Sequence, residues 1–441
     1  AFELDIITLN KAFTMLKNII KTIEKLEKWN GLLFNWYNIY TLKKMHPYFI
    51  STVDTGNLLA NLYVVKGFAE KHNNQELVYR STMLIENMDF TKLYNKDLDV
   101  FSIGYNFSEQ ALLPYHYNNF ASEARITSFM TIAKGDAPYK HWFFLNKALT
   151  KYKYYKGVVS WNGTAFEYFM PLIYMRTYKH TLLDETYYYA YFTQREFMKE
   201  VDPALPWGIS ESSYNELDDS QNYRYGTFGI PYLKSQDNLS YPIIISPYSS
   251  IMALSIDDRE VYNNILKFKK LDMFGEYGFY DAYDYEEKAV VKNYYAHHQG
   301  MVLGGITNYL KDNVIQDYFH SDKKIASVET LLKEKVQIKT YIDLKIARYK
   351  KYQYMKEHKP SDIREINELN NVPEMSILSN GLYTVILDDR GIGFSKYKNL
   401  QINRYRKVSN ENYGVFFYIR NLKTNNVWSN TYAPLYDKPK N

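Results

Sequence analysis

The sequence predicts an all-α fold of the paired-helix toroid kind, with a β-rich segment at its C-terminal end. Three observations predict it. Between about residues 30 and 337, long apolar runs recur, separated by loops rich in Gly, Pro, Asn and Asp. Period-2 alternation is scarce there, and each run is long enough for a helix. After Pro373 the pattern changes to short alternating segments punctuated by turn residues.

The elements follow in order. Residues 5–29 carry apolar positions at helical spacing with Lys and Glu between them, which predicts one exposed helix. The runs Leu58–Phe68, Ala124–Ala133, Phe166–Met175, Glu185–Met198, Ser249–Leu254 and Gly300–Leu310 predict the toroid's helices, with a pocket built from the loops joining them. Residues 338–373 are polar and read as a connecting segment, with Pro360 blocking a continuous helix. Ser376–Gly381 reads as a turn, Tyr383–Leu387, Gly393–Tyr397 and Val415–Arg420 as strands, and Asn425–Asn426 as a turn. The expected divisions are therefore 1–29, 30–337, 338–373 and 374–441, the last being the start of a β-sandwich.

Composition narrows the function classes. Hydrophobic residues make up 46% and charged residues 23%, an ordinary globular balance. A net charge of +5, with both signs interleaved, gives no footprint of a nucleic-acid binder. The absence of Cys excludes disulfides, thiolate zinc sites and a cysteine nucleophile. No run of about 18 apolar residues is present to span a membrane. The N-terminus has neither a start Met nor a signal pattern and reads as part of something longer. The chain contains 46 Tyr, 24 Phe and 6 Trp. Rings with polar tips suit sugar binding, and AT-rich codon usage explains the same excess equally well.

Several loops hold groups that can do chemistry. Asp54 precedes a helical run, where an N-cap is the favoured reading and a site carboxylate the other. Glu123 opens the most apolar helix of the middle region, where the helix dipole is the favoured reading and a carboxyl poised at the mouth of the toroid the other. The loop Pro206–Asn215 carries Trp207, Gly208, Glu211 between serines, and Tyr214, with no apolar face to bury. Loops of that kind often hold sites. Trp161 and Glu167 lie in a third such segment, and Asp281 in a fourth. Asp184 and Glu185 follow Thr181 in capping-box form and read as structural. His297 and His298 are adjacent, so they share no helix face and lack metal-ligand spacing.

Together these segments resemble the middle, glycan-handling domain of bacterial cyclic β-1,2-glucan synthases, within the glucoamylase-like superfamily of (α/α)6 barrels. The stretches that carry the resemblance are Ser51–Leu58, Phe101–Asn106, Ala121–Arg125, Ile132–Asp136, Gly163–Tyr168, Thr181–Tyr187, Pro206–Ser212, Tyr277–Tyr280 and Ala296–Met301. They occur in the family's order across roughly residues 30–337. Leu378–Tyr383, Asn403–Arg406 and Val427–Ser429 look like the opening of the phosphorylase-like domain that follows in those synthases. Asp281 and Asn162 depart from the pattern, which has Glu and Ser or Gly there.

The resemblance implies an anomer-retaining transglycosylase that closes linear β-1,2-glucan into a ring. Glu123 would be the acid/base and Glu211 the nucleophile. Asp54, Arg125, Trp161, Glu167, Trp207, Tyr214, Asp281, His297, His298 and Gln299 would bind the glucan. Two carboxylates suffice for such chemistry, so no metal or other cofactor is expected. The implied partners are β-1,2-glucan and neighbouring domains of the same chain, at the cytoplasmic face of the bacterial inner membrane. An endo-β-1,2-glucanase and a non-catalytic glycan-binding module are the competing readings.

Overall fold

The computed structural model describes residues 1–219, 221–235, 242–335, 372–403 and 415–436. The expected connecting segment 338–373, apart from its last two residues, and most of Asn403–Arg406 lie outside the described residues. The chain divides into two units, Ala1–Lys350 and Lys351–Asn441.

The first unit is built on helices. They are α1 (Leu9–Lys25), α2 (Thr52–Lys71), α3 (Gln75–Asn87), α4 (Arg125–Lys134), α5 (Lys140–Phe144) and α6 (Ala165–Phe169). The series continues with α7 (Leu182–Val201), α8 (Pro247–Ile251), α9 (Asp258–Lys270), α10 (Ala296–Leu310), α11 (Val314–His320) and α12 (Lys323–Ser327). The N-terminal amphipathic pattern becomes α1, which buries only Ala12 and Ile20 and shows its Lys-rich face to solvent. By contrast α2 is buried on nearly all sides and packs against α3, α4 and α11. Gly56 makes its contact with α4 possible, since a Cβ there would stand 1.8 Å from Thr127 Oγ1. One continuous core runs from Leu32 to Leu332, including Phe129, Trp142, Tyr168 and Tyr189.

Each apolar run lies on a helix, with two differences. The Phe166–Met175 run is split, because α6 ends and a 3-10 turn takes over at Met170–Ile173 around Pro171. Proline has no N–H to donate and blocks the preceding turn. The Ser249–Leu254 run gives only the short α8, started by Pro247 in its first turn. The unit is also less purely helical than expected, because its loops pair into small antiparallel sheets. Phe49–Ser51 pairs with Gly104–Asn106, and Ser212–Leu217 with Tyr223–Gly226.

The second unit holds a four-stranded antiparallel sheet of Met375–Ser379, Tyr383–Asp388, Gly393–Tyr397 and Leu400–Gln401. Residues 375–379 are thus a strand, where the sequence suggested a turn. The turn is confined to Asn380, Gly381 and Leu382, with Gly381 at φ +87°. Tyr418–Arg420 pairs with Val427–Ser429 across the expected Asn425–Asn426 turn.

Candidate active site

In the first unit a cleft of about 1440 Å³ gathers Asp54, Glu123, Trp161, Glu167, Glu211 and His297 into one lining. These residues span more than 240 positions of chain, so the tertiary fold alone brings them together.

Glu123 sits in the turn before α4, whose residues Arg125–Ile132 are all buried and hold that end rigidly. Ser122 Oγ donates to Glu123 Oε2 at 3.0 Å and accepts from Ala124 N–H at 3.1 Å. Arg125, expected to bind glucan, points the other way. Its guanidinium donates to Phe120 O at 3.0 Å, Tyr168 O at 3.4 Å and Tyr187 Oη at 3.0 Å, all within the core. It therefore ties down the turn that carries Glu123. Burial, followed by the charge of Glu167, pushes the Glu123 carboxyl from 4.5 up to about 7.

Glu211 ends a loop whose backbone is clamped from several sides. Asn264 of α9 accepts from Trp207 N–H and donates to Trp207 O, both at 2.8 Å. Gln194 of α7 does the same for Ile209, both at 2.9 Å. Ser246 N–H donates to Gly208 O, and Ala165 N–H to Ile209 O. Tyr248 Oη donates to Glu211 O at 2.9 Å. Polar side chains spent on backbone groups in this way leave none of them orphaned in the core. Burial, then the charges of Glu123, Glu167 and Asp54, raise the Glu211 carboxyl well above the usual carboxylate range. With both carboxyls raised in one acidic cleft, the pair favours carrying a proton over carrying two charges.

Glu167 lies in the cleft wall, yet its oxygens face the main chain. Oε1 accepts from Trp161 N–H and Asn162 N–H, both at 3.0 Å, and Oε2 from Thr164 N–H at 2.9 Å and Ser160 Oγ at 2.8 Å. Thr164 returns the bond as the N-cap of α6, completing a capping box. Through these bonds the carboxylate shapes the Trp161 loop. Asp54 is not an N-cap, because Ser51 caps α2 and accepts from Asp54 N–H at 3.1 Å. The Asp54 carboxylate faces the cleft and accepts from Asn35 Nδ2 at 3.1 Å.

Others among the expected binding residues stand behind the cleft wall. Trp207 is buried with its ring edge-on to Tyr191. Tyr214 packs edge-on against Phe228. Gln299 Nε2 donates to Phe279 O at 2.8 Å. Asp281 and His298 are buried and bound to each other, Nδ1 to Oδ1, at 2.5 Å. Of the histidine pair, His297 reaches the cleft, and burial followed by the neighbouring His298 pushes it down to about 4. Among the described residues, the metal-sized group of ligands is His180, Asp184 and Glu185, and none of these lines the cleft.

Sequence reasoning missed Asn35, Trp36, Tyr115, Tyr117, Tyr225 and Tyr295, all of which line the cleft. Tyr117 stands among the carboxylates, and burial plus the charges of Glu123, Asp54, Glu211 and Glu167 raise its hydroxyl pKa. No single tyrosine stands out among 46 in a sequence.

The chain is similar to several known proteins. Residues 115–323 match the family described as "Putative glucoamylase", and residues 363–441 the glycosyl hydrolase 94 supersandwich domain. The chain is 31% identical over 363 residues to the cyclic beta-(1,2)-glucan synthase NdvB of Rhizobium meliloti, covering 79% of this chain and 13% of that one. An endo-beta-1,2-glucanase of Chitinophaga pinensis superposes with a TM-score of 0.64 at 16% identity, covering 75% of this chain and 84% of that one. A putative glucoamylase of Bacteroides caccae gives 0.64 at 14% identity, with the same coverage of 75% and 84%. At these identities the two structures show a shared fold. No helix among the described residues is long and apolar enough to cross a membrane.

Proposed function

The chain joins a glucoamylase-like region to a glycosyl hydrolase 94 supersandwich region and resembles a cyclic β-1,2-glucan synthase over most of its length; from that premise we propose that it is an anomer-retaining transglycosylase closing linear β-1,2-glucan into rings. The observation that carries the proposal is the meeting of Glu123 and Glu211 in one cleft, both with raised carboxyl pKa values. A retaining reaction needs one carboxyl to protonate the leaving oxygen and another, ionised, to attack the anomeric carbon. Glu123, still protonated near neutral pH, suits the acid. Glu211 is also raised, by burial and by the charges of Glu123, Glu167 and Asp54, so it serves as nucleophile once its proton passes to a neighbour or solvent as the sugar enters. Deprotonated Glu123 then activates a 2-hydroxyl at the glucan's far end, which displaces Glu211 and restores the original anomer.

In this reading residues 30–337 form the (α/α)6 catalytic domain, flanked by the helical segment 1–29, the connection 338–373 and a β-sandwich beginning at 374. The whole works at the cytoplasmic face of the bacterial inner membrane, as part of a longer synthase.

Replacing Glu123 or Glu211 with Gln should each cost at least ~10²-fold in turnover of β-1,2-glucan. Azide rescue separates their roles. Glu123→Ala with azide should give the β-configured glycosyl azide, and Glu211→Ala the α-configured one. The reverse pattern exchanges the two roles, and near-normal turnover of both Gln variants contradicts the proposal.

A further inference from the structure

Asp281 and His298 are charged or titratable groups buried deep in the first unit, and the chemistry assigned to Glu123 and Glu211 does not use them. Their surroundings form a closed circuit. Asp281 Oδ2 accepts from Ser213 N–H at 2.7 Å, and Asp281 Oδ1 meets His298 Nδ1 at 2.5 Å. His298 Nε2 lies 3.3 Å from Tyr225 Oη. Tyr225 is the cross-strand partner of Ser213, which closes the loop. Ser213 is two residues beyond Glu211, and Tyr225 lines the cleft with Glu211.

The partners on its two ring nitrogens orient the protons of a neutral His298. Asp281 can only accept when ionised, so the Nδ1 proton of His298 points at it. With Nδ1 carrying the proton, Nε2 of the neutral ring is the acceptor, and Tyr225 Oη donates to it. The lone pairs of the tyrosine oxygen are then left for a donor in the cleft. The imidazole cannot swing to another partner. It is stacked on Tyr248 at 3.9 Å between ring centroids and 15° between planes, and Tyr248 itself holds Glu211 O. Tyr295 packs edge-on to the imidazole at 5.4 Å and to Tyr225 at 5.3 Å.

We propose that Tyr225 accepts a hydrogen bond from a glucan hydroxyl at the reacting sugar beside Glu211, and that Asp281 and His298 are positioning residues that aim its oxygen into the cleft. The proposal rests on the glucan reading of the cleft. It also explains why the shorter Asp281 suits this position. Here the carboxylate bonds a strand and a ring behind the wall and does not reach for sugar.

The test uses the full chain and linear β-1,2-glucan. Tyr225→Phe removes the oxygen and keeps the ring. His298→Asn keeps an amide beside Asp281 and removes the Nε2 partner of Tyr225. Each should lower kcat/KM by roughly tenfold, the scale of one well-made hydrogen bond. The double variant should fall no further than the worse single, because His298 acts through Tyr225. Multiplied losses in the double variant, or an unchanged kcat/KM in Tyr225→Phe, would overturn the proposal.

A second readout is independent of turnover. In ¹⁵N-histidine NMR spectra, with His298→Asn identifying the resonances, His298 should show a protonated Nδ1 and an accepting Nε2. Tyr225→Phe should move Nε2 and leave Nδ1 in place, and a stationary Nε2 overturns the relay. If the wild-type protein turns over no β-1,2-glucan, the functional reading fails, while these spectra still decide the proton placement. If His298→Asn does not fold, Tyr225→Phe alone supplies both the kinetics and the Nε2 shift.

Discussion

Glu167→Gln probes the architecture of the site with little change of shape. The carboxylate accepts from three backbone N–H groups and the Ser160 hydroxyl, all behind the Trp161 loop. A glutamine offers one oxygen and one NH₂ in their place. Whichever way the amide turns, its NH₂ faces at least one backbone N–H, of Thr164 or of Trp161. One buried donor left without a partner costs about 1–3 kcal/mol, and losing the charge on the remaining bonds adds about 1 kcal/mol. The expected loss is therefore about 2–4 kcal/mol. For a unit this large, that is a fall of about 3–6 °C in Tm, followed by near-UV circular dichroism or calorimetry. Turnover should also fall, because Trp161 loses its anchor. A Glu167→Gln protein melting within about 1 °C of wild type would refute the reasoning that this carboxylate braces the loop.

Three further outcomes follow from the same geometry. Because Glu123 is raised from 4.5 to about 7, its acid form persists to near neutrality, and kcat/KM for glucan should show an alkaline limb near pH 7. The same shift means that folding takes up a proton there. Its contribution to stability is full below 4.5 and is lost as pH rises through about 7, so Glu123→Gln should flatten that part of the stability profile. Gly208→Ala should disturb Glu211 from three residues away. Gly208 holds φ +132°, and an added Cβ would stand 2.3 Å from Ser249 Oγ and 3.0 Å from Ser246 O. A cost of about 1–3 kcal/mol in stability and at least a tenfold fall in kcat are expected, and an unchanged kcat would show that the loop is not rigidly placed.

Much of the helical scaffold is legible because it rests on local periodicity. The runs at Leu58–Phe68 and Glu185–Met198 become α2 and α7 without tertiary information. The small sheets of the loops are invisible for the opposite reason. Strands as short as Phe49–Ser51, paired with Gly104–Asn106, are too short to alternate and are set by contacts between distant segments. The split at Pro171 was readable from the proline itself. The role of Glu167 was also written locally, since Thr164 followed three residues later by Glu167 is a capping box. The burial of Arg125, Trp207, Asp281 and His298 was not legible. It depends on Tyr187, Asn264, Ser213 and Tyr225, each more than 55 positions from the residue it meets. Tyr117 and Tyr225 were hidden by sheer number, because only the fold distinguishes the tyrosines that face the cleft.

The most direct test of the central claim is mass spectrometry of the products that the full chain makes from linear β-1,2-glucan, with Glu211→Gln alongside. The account predicts rings, one water lighter than linear chains of equal length, from the wild-type protein, and almost no conversion by the variant. Linear fragments alone would replace transfer with hydrolysis at the same two carboxylates. Unaltered glucan from the wild-type protein, or rings made freely by Glu211→Gln, would contradict the account.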